Sequence, residues 1–475
     1  MPRPPVPFAS LLALVASAPA WATPEDCPYG VNAHQAADEA LVLAADAGLG
    51  WVRFDFNWTE LEPAEGTYNW SSTDRLITTA ESLGLHVFAT VAYTPDWAAP
   101  AGCDNGAADD DSHCLNKVPD PARWVAFVTA AVDRYGSTVR HWGMWNEPNL
   151  GVFFSGSRDE YVDSVLIPGS NAVHAACPSC LVVGPELANL RETDWDADEG
   201  VCAFNECIFN GWEYSLAAVL DAAGAYIDII SHHRYDETGD SVWIGALDGQ
   251  WWGDIQYMHG LKEVVDEHGQ GQPVWITEFG WETAPGGDWS EAEAADELQA
   301  TWEGFAEVRA GTFALSENDP WPELERMFWY DLNDDPNVYE DGMSTWGVLD
   351  GDLAPKSAYA SYRSVIAAQG GCVEEEEDED DEEDTDGGED EGDDDEPVDD
   401  EETGTGAGVE DSDTANEEPG AGSEALPGTV GGTRCGCGSP VAASGEGVVL
   451  AALCAAIAVV RAGRRKRRDR ASLGG

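Results

Sequence analysis

The chain has 475 residues, with 91 acidic side chains against 23 basic ones and a formal net charge of -68. That balance argues against nucleic acid as a partner, because phosphate binding needs a basic face. The length accommodates one large domain with appendages, and composition divides the chain into a leader, a globular zone and a long polar tail.

Residues 1–22 hold Arg3, an apolar stretch from Phe8 to Ala20 and the small-residue exit Ala20-Trp21-Ala22. This order predicts a secretory signal peptide, with the mature chain beginning near Thr23. Residues 23–373 form the globular zone, where short apolar runs alternate with amphipathic stretches, the pattern of βα units around a parallel sheet. Eight strands are expected, at Tyr29 to Asn32, Trp51 to Phe56, His86 to Ala92, Val139 to Trp145, Leu181 to Pro185, Ile227 to His233, Val274 to Glu278 and Arg326 to Asp331. Helical periodicity marks Ala36 to Ala47, Ser72 to Leu83, Pro121 to Tyr135, Asp159 to Ala176, Glu291 to Ala310 and Pro355 to Ala368. The fold class expected is α/β, a (β/α)8 barrel, in which functional residues sit at the C-terminal ends of the strands.

Two glutamates fall at such ends. Glu147 lies in Trp145-Asn146-Glu147-Pro148-Asn149 after strand 4, and Glu278 lies in Trp275-Ile276-Thr277-Glu278-Phe279-Gly280-Trp281 on strand 7. Taken singly, Asn146 and Pro148 suit a strand exit and a helix start. Together, about three βα units apart, the two motifs suit glycosidic cleavage with retention. That reaction needs one carboxylic acid to protonate the leaving oxygen and one carboxylate, about 5 to 5.5 Å away, to attack the anomeric carbon. It requires no metal and no cofactor.

The same strand ends supply further candidates. Arg53 alternates with Trp51 and Asp55 on strand 2, and an arginine beside a nucleophilic carboxylate keeps it ionised. His233 and Tyr235 are two apart and share a face, whereas His232 points the other way. Trp329 ends strand 8, where a ring could lie against the C-H face of a pyranose; core packing is the competing use of any one tryptophan. Among 20 Trp and 13 Tyr, Trp58, Tyr93, Trp97, Trp251, Trp252 and Trp281 fall on expected loops at the same end.

Asn-Glu-Pro after a Trp, with Thr-Glu-Phe-Gly before one, resembles the two catalytic motifs of the clan A glycoside hydrolases. The resemblance implies retaining chemistry, with Glu147 as acid/base and Glu278 as nucleophile. It also implies that Asn146 bonds the sugar 2-hydroxyl, that Arg53 and Tyr235 support the nucleophile, that His233 belongs to the clan's His-x-Tyr pattern, and that Trp329 is the floor under the reacting sugar, with a peptide after it that is often cis. Trp51-Val52-Arg53-Phe54-Asp55, Tyr93-Thr94-Pro95-Asp96-Trp97 and Arg134-Tyr135-Gly136 look most like family 39; family 5 is the alternative, weakened because His86 lies at the wrong end of strand 3. The expected function is a retaining β-glycosidase acting on plant, algal or microbial polysaccharide or its oligomers. A non-catalytic carbohydrate-binding or structural surface protein on the same barrel is the other class.

Eight cysteines lie in this zone, and an even number in an oxidising compartment suggests disulfides. Spacing pairs Cys103 with Cys114, Cys177 with Cys180 and Cys202 with Cys207, which leaves Cys27 and Cys372 to close the domain end to end. Zinc at Cys177 and Cys180 lacks a second ligand pair of suitable spacing.

Residues 374–434 are dominated by Asp, Glu and Gly, then Thr, Ser and Pro, and cannot bury enough apolar surface to offset chain entropy, so a disordered acidic linker is expected. Calcium binding by this run is an alternative without EF-hand spacing. Residues 435–475 carry Cys435-Gly436-Cys437, an apolar run from Gly447 to Val460 and a basic tail from Arg461 to Arg470. The run is short for a span of about 20 residues, and the basic cluster would stay cytoplasmic. This order resembles the cysteine-containing sorting signals of myxobacterial surface proteins; a plain single-pass tail anchor is the alternative. Either predicts an exported enzyme held at the cell envelope through its C-terminus.

Overall fold

The computed structural model describes residues 26–104, 114–189, 207–235, 254–284, 289–312, 320–334, 345–369 and 371–372. The expected signal peptide, acidic linker, C-terminal anchor, Trp251 and Trp252 lie outside them, as does Cys202 of the expected Cys202–Cys207 pair. Among the described residues no helix is long and apolar enough to cross a membrane.

Eight parallel strands close into a barrel in sequence order. They are β1 (Tyr29–His34), β2 (Trp51–Asn57), β3 (His86–Ala92), β4 (His141–Met144), β5 (Leu181–Leu187), β6 (Ile229–His233), β7 (Val274–Phe279) and β8 (Leu324–Trp329). The (β/α)8 expectation therefore holds, with shifts at strand ends. β4 stops at Met144 because Trp145 and Glu147 take positive φ values of 86° and 42°, which an extended ladder cannot carry. β5 runs two residues further than expected.

Local sequence explains where the outer helices begin and stop. Asp120 accepts from the backbone N-H groups of Ala122 and Arg123, with Pro121 in the first turn of the helix Pro121–Tyr135, which satisfies two orphan donors and uses the fixed φ of proline. Ser290 and Glu293 form a capping box on the helix Glu291–Ala310, which ends at Gly311 in the left-handed conformation. Leu298, Trp302, Phe305 and Val308 recur at helical spacing and bury one face of that helix. Trp302 packs on Tyr29 of β1 and Tyr362 of the last helix, Ser357–Ala368. Truncating such a side chain to alanine costs about 3 to 5 kcal/mol.

The pore is filled in layers. At its N-terminal end the Arg326 guanidinium stacks between Trp51 and Trp275, 4.0 and 4.5 Å from their ring centres, with His141 beside them. Above this sit Phe88 and Phe328. Gly30 is required here, since a Cβ would lie 2.4 Å from the Phe328 ring. This aromatic floor separates the polar upper layer from the barrel's lower end. Among the described residues three disulfides are present, Cys27–Cys372, Cys103–Cys114 and Cys177–Cys180, as the spacing predicts.

Candidate active site

The upper layer is organised around Arg53, which is 2% exposed. Its position on β2 points it into the pore, and all its N-H groups are engaged. Nη1 donates to Glu278 Oε1 and Asn32 Oδ1, each at 2.7 Å. Nη2 donates to Asn146 Oδ1 and Glu186 Oε2, also at 2.7 Å. Nε is shared between Thr90 Oγ1 and Glu186 Oε2. Burial works against the charge, but Glu186 and then Glu278 more than offset it and hold Arg53 above its ordinary range.

His233, at the end of β6, joins the two candidate carboxyls. Its Nδ1 lies 2.8 Å from Glu147 Oε1 and 3.3 Å from Glu278 Oε2. Burial is the largest influence on this imidazole and disfavours charge, yet Glu278 and the bond to Glu147 outweigh it and raise its pKa to about 9. Burial raises the Glu147 carboxyl, against the pull of the His233 hydrogen bond. Tyr235 donates to Glu278 Oε2 at 2.6 Å. Glu147 and Glu278 remain 8% and 6% exposed, so both carboxyls open toward the mouth.

Backbone geometry places the acid/base candidate. The Glu147 N-H donates to the Glu186 carbonyl at 3.1 Å, and Asn149 clamps the following turn to Ala188 by paired amide bonds of 3.0 and 2.9 Å. Among the described residues, five of the six non-glycine residues with positive φ, His34, Tyr93, Trp145, Glu147 and Glu186, lie in or just after β1, β3, β4 and β5. Such conformations cost about 1 to 3 kcal/mol each and collect where function needs them.

The structure thus brings Arg53, Asn146, Glu147, His233, Tyr235 and Glu278 together, and it does not bring Trp329 to them. Trp329 faces outward, packed on Phe279 and Trp281 with its indole N-H on the Trp346 carbonyl. The next residue, Tyr330, takes the inward place beside Tyr235 and Trp346, and the cis peptide follows it, between Tyr330 and Asp331. A one-residue offset explains the difference, because successive strand residues face opposite sides. His232 packs on Trp212 away from the pore, as its parity predicts.

Sequence reasoning passed over Glu186, Thr90 and Asn32, and also a second charged cluster. His34 Nδ1 is 2.7 Å from Asp55 Oδ2 and its Nε2 is 3.6 Å from Asp331 Oδ2. Burial opposes charge on His34, but Asp55 and then Asp331 raise its pKa to about 9. Its ring lies edge-on to Tyr330. The alternation of Trp51, Arg53 and Asp55 was the available signal for Asp55.

Glu147, His233 and Glu278 offer donor atoms within 4.8 Å of one another, close enough to hold a cation. Here Arg53 and the raised, proton-bearing His233 already supply positive charge to these carboxyls, and a ligating imidazole must be neutral. The donor set therefore suits proton transfer better than metal binding. What the arrangement provides is a carboxyl raised by burial, facing a carboxylate gripped by an arginine and a tyrosine.

The fold and site define a (β/α)8 barrel with the paired-glutamate layout used in retaining glycoside hydrolysis. A sequence profile of the glycoside hydrolase 42 family, described as Beta-galactosidase, matches residues 29–116. No curated protein sequence matches the chain. Among solved structures, a family 39 glycoside hydrolase from the gut symbiont Bacteroides cellulosilyticus WH2 is similar at 21% identity and a TM-score of 0.52, over 72% of this chain and 64% of its own length. A family 39 enzyme from Xanthomonas axonopodis pv. citri is similar at 18% identity and a TM-score of 0.50, over 74% of this chain and 68% of its own. These likenesses establish the shared barrel fold.

Proposed function

We propose that the barrel is a retaining β-glycosidase acting on polysaccharide or oligosaccharide. The observation that carries this reading is the approach of Glu147 and Glu278, whose donor oxygens lie within 4.8 Å. An inverting pair stands about 6.5 to 9.5 Å apart to admit a water. In the first step Glu278 attacks the anomeric carbon as the glycosidic C-O bond breaks, and Glu147 gives its proton to the departing oxygen. In the second step water, deprotonated by Glu147, displaces Glu278 and restores both carboxyls. Arg53 and Tyr235 orient the nucleophile, and Asn146, its carbonyl held by Arg53, presents its amide N-H groups toward the sugar 2-hydroxyl. Tyr330 is the ring placed to underlie the reacting sugar.

The test is a panel of aryl β-glycosides and polysaccharides incubated with the full-length protein, with product configuration followed by NMR. Hydrolysis with retained configuration is expected. Inverted product, or no turnover of any member, would overturn the reading.

We further propose that the enzyme is exported and held at the envelope by residues 435–475, with residues 374–434 as an acidic tether. The order of linker, cysteine pair, apolar run and basic tail supports this.

A further inference from the structure

Glu186 has no part in the two-step scheme, yet it bonds Arg53, lies beside His233 and holds the Glu147 backbone. It is fully buried and cannot meet the substrate. Its Oε2 takes two N-H groups from Arg53, at 2.7 and 3.1 Å, on the side of the guanidinium remote from Glu278. The same oxygen lies 3.9 Å from His233 Nε2, across the ring from the Nδ1 that faces Glu147 and Glu278. Its backbone carbonyl accepts the Glu147 N-H. Its carboxylate lies over Gly143 of β4, where a Cβ would come within 2.1 Å of Oε1, so the neighbouring strand is shaped to admit it.

We propose that Glu186 is a positioning residue: a third carboxylate that holds Arg53 and His233 in the orientation in which they serve Glu278 and Glu147. The proposal rests on the glycosidase reading for its kinetic arm. The competing explanation is that Glu186 only compensates the buried charge of Arg53, in which case its loss lowers stability and nothing else.

The charged groups facing His233 are Glu147 after β4, Glu186 on β5 and Glu278 on β7, the last two shared with Arg53 on β2. Tyr93 after β3, close to Glu147 and Glu278, and Tyr235, bonded to Glu278, add hydroxyls that burial keeps protonated; His232 precedes His233 on β6 and Arg234 follows it. A negative charge makes every proton in such a cluster harder to remove, whichever group carries it. Removing the charge of Glu186 therefore moves the basic limb of kcat/KM to lower pH.

The experiment is Glu186→Gln in the full-length protein, with the thermal midpoint measured in parallel. On an aryl β-glycoside kcat should fall roughly 10- to 100-fold with KM changed less than about threefold, and the basic limb should move down by about one pH unit. The 15N signals of His233, identified by their loss in His233→Asn, should titrate at lower pH by a similar amount. An unmoved limb and an unmoved His233 titration would overturn the proposal, whatever happens to stability. If Glu186→Gln does not fold, Gly143→Ala decides, because it keeps the charge and pushes the carboxylate off Arg53: kcat should fall and His233 should titrate lower, and no change in either overturns the idea. A wild-type protein inactive on all glycosides would defeat the glycosidase reading instead, and the NMR arm would still decide whether Glu186 governs His233.

Discussion

The hydroxyl of Tyr235 donates to Oε2 of Glu278 at 2.6 Å, opposite the 2.7 Å bond from Arg53 to Oε1, so each oxygen of this carboxylate has its own donor. In the proposed reaction the tyrosine bond would weaken as Glu278 spends its charge in attack and re-form when the carboxylate departs. Tyr235→Phe should therefore slow the second step more than the first. We expect kcat to fall roughly 100-fold, with a burst of released phenol on rapid mixing. A kcat within threefold of the wild type would contradict this role.

The two glutamates should separate by chemistry. Glu147→Ala should retain glycosylation with substrates bearing a good leaving group, and azide should restore turnover to a glycosyl azide of retained configuration, because only proton transfer is lost. Glu278→Ala should lose roughly 10,000-fold or more on all ordinary substrates. Azide rescue of Glu278→Ala to a product of retained configuration would reverse the assignment.

Stability should decline from neutral to alkaline pH. His34 and His233 have folded pKa values raised to about 9, above the unfolded value near 6.5. Their contribution is fully present below about pH 6.5 and is lost as pH rises through 9. For His34 alone this is on the order of 3 kcal/mol. Urea midpoints at pH 6 and pH 9.5 should differ less in His34→Gln than in the wild type. An equal difference would mean that the Asp55 and Asp331 cluster leaves His34 unperturbed.

The Cys27–Cys372 bridge closes a sequence separation of 345 residues. In the chain-entropy model such a closure contributes about 5 to 6 kcal/mol, so the Cys27→Ser, Cys372→Ser double variant should melt roughly 10 °C lower while keeping kcat. Unchanged melting would show that the last helix holds the barrel closed without it.

Deleting residues 435–475 should move activity from the envelope fraction into the medium without changing turnover on a small substrate. Equal release of full-length and truncated protein would remove the case for an anchor.

Eight strands and the two glutamates could be read from the chain because apolar runs with fixed parity, and motifs at their ends, are local features. Glu186 could not. It sits inside a buried run, and the β5–β6 register shifts between Pro185 and Leu187, so simple alternation does not assign its face. On β8 parity holds, with Arg326, Phe328 and Tyr330 facing in, and the ring expected at Trp329 is one residue out of phase. His34, an isolated histidine at the end of β1, had no sequence neighbour to announce Asp331, which is almost 300 residues away and meets it only once the barrel closes.

The bridge between Cys27 and Cys372 also fixes a direction. Cys27 precedes the start of β1, at the pole opposite the catalytic mouth, and Cys372 is tied to it there. The bridge therefore lies at the sealed pole, behind the floor of Arg326, Trp51 and Trp275. Opening the bridge there should leave access to the mouth unchanged.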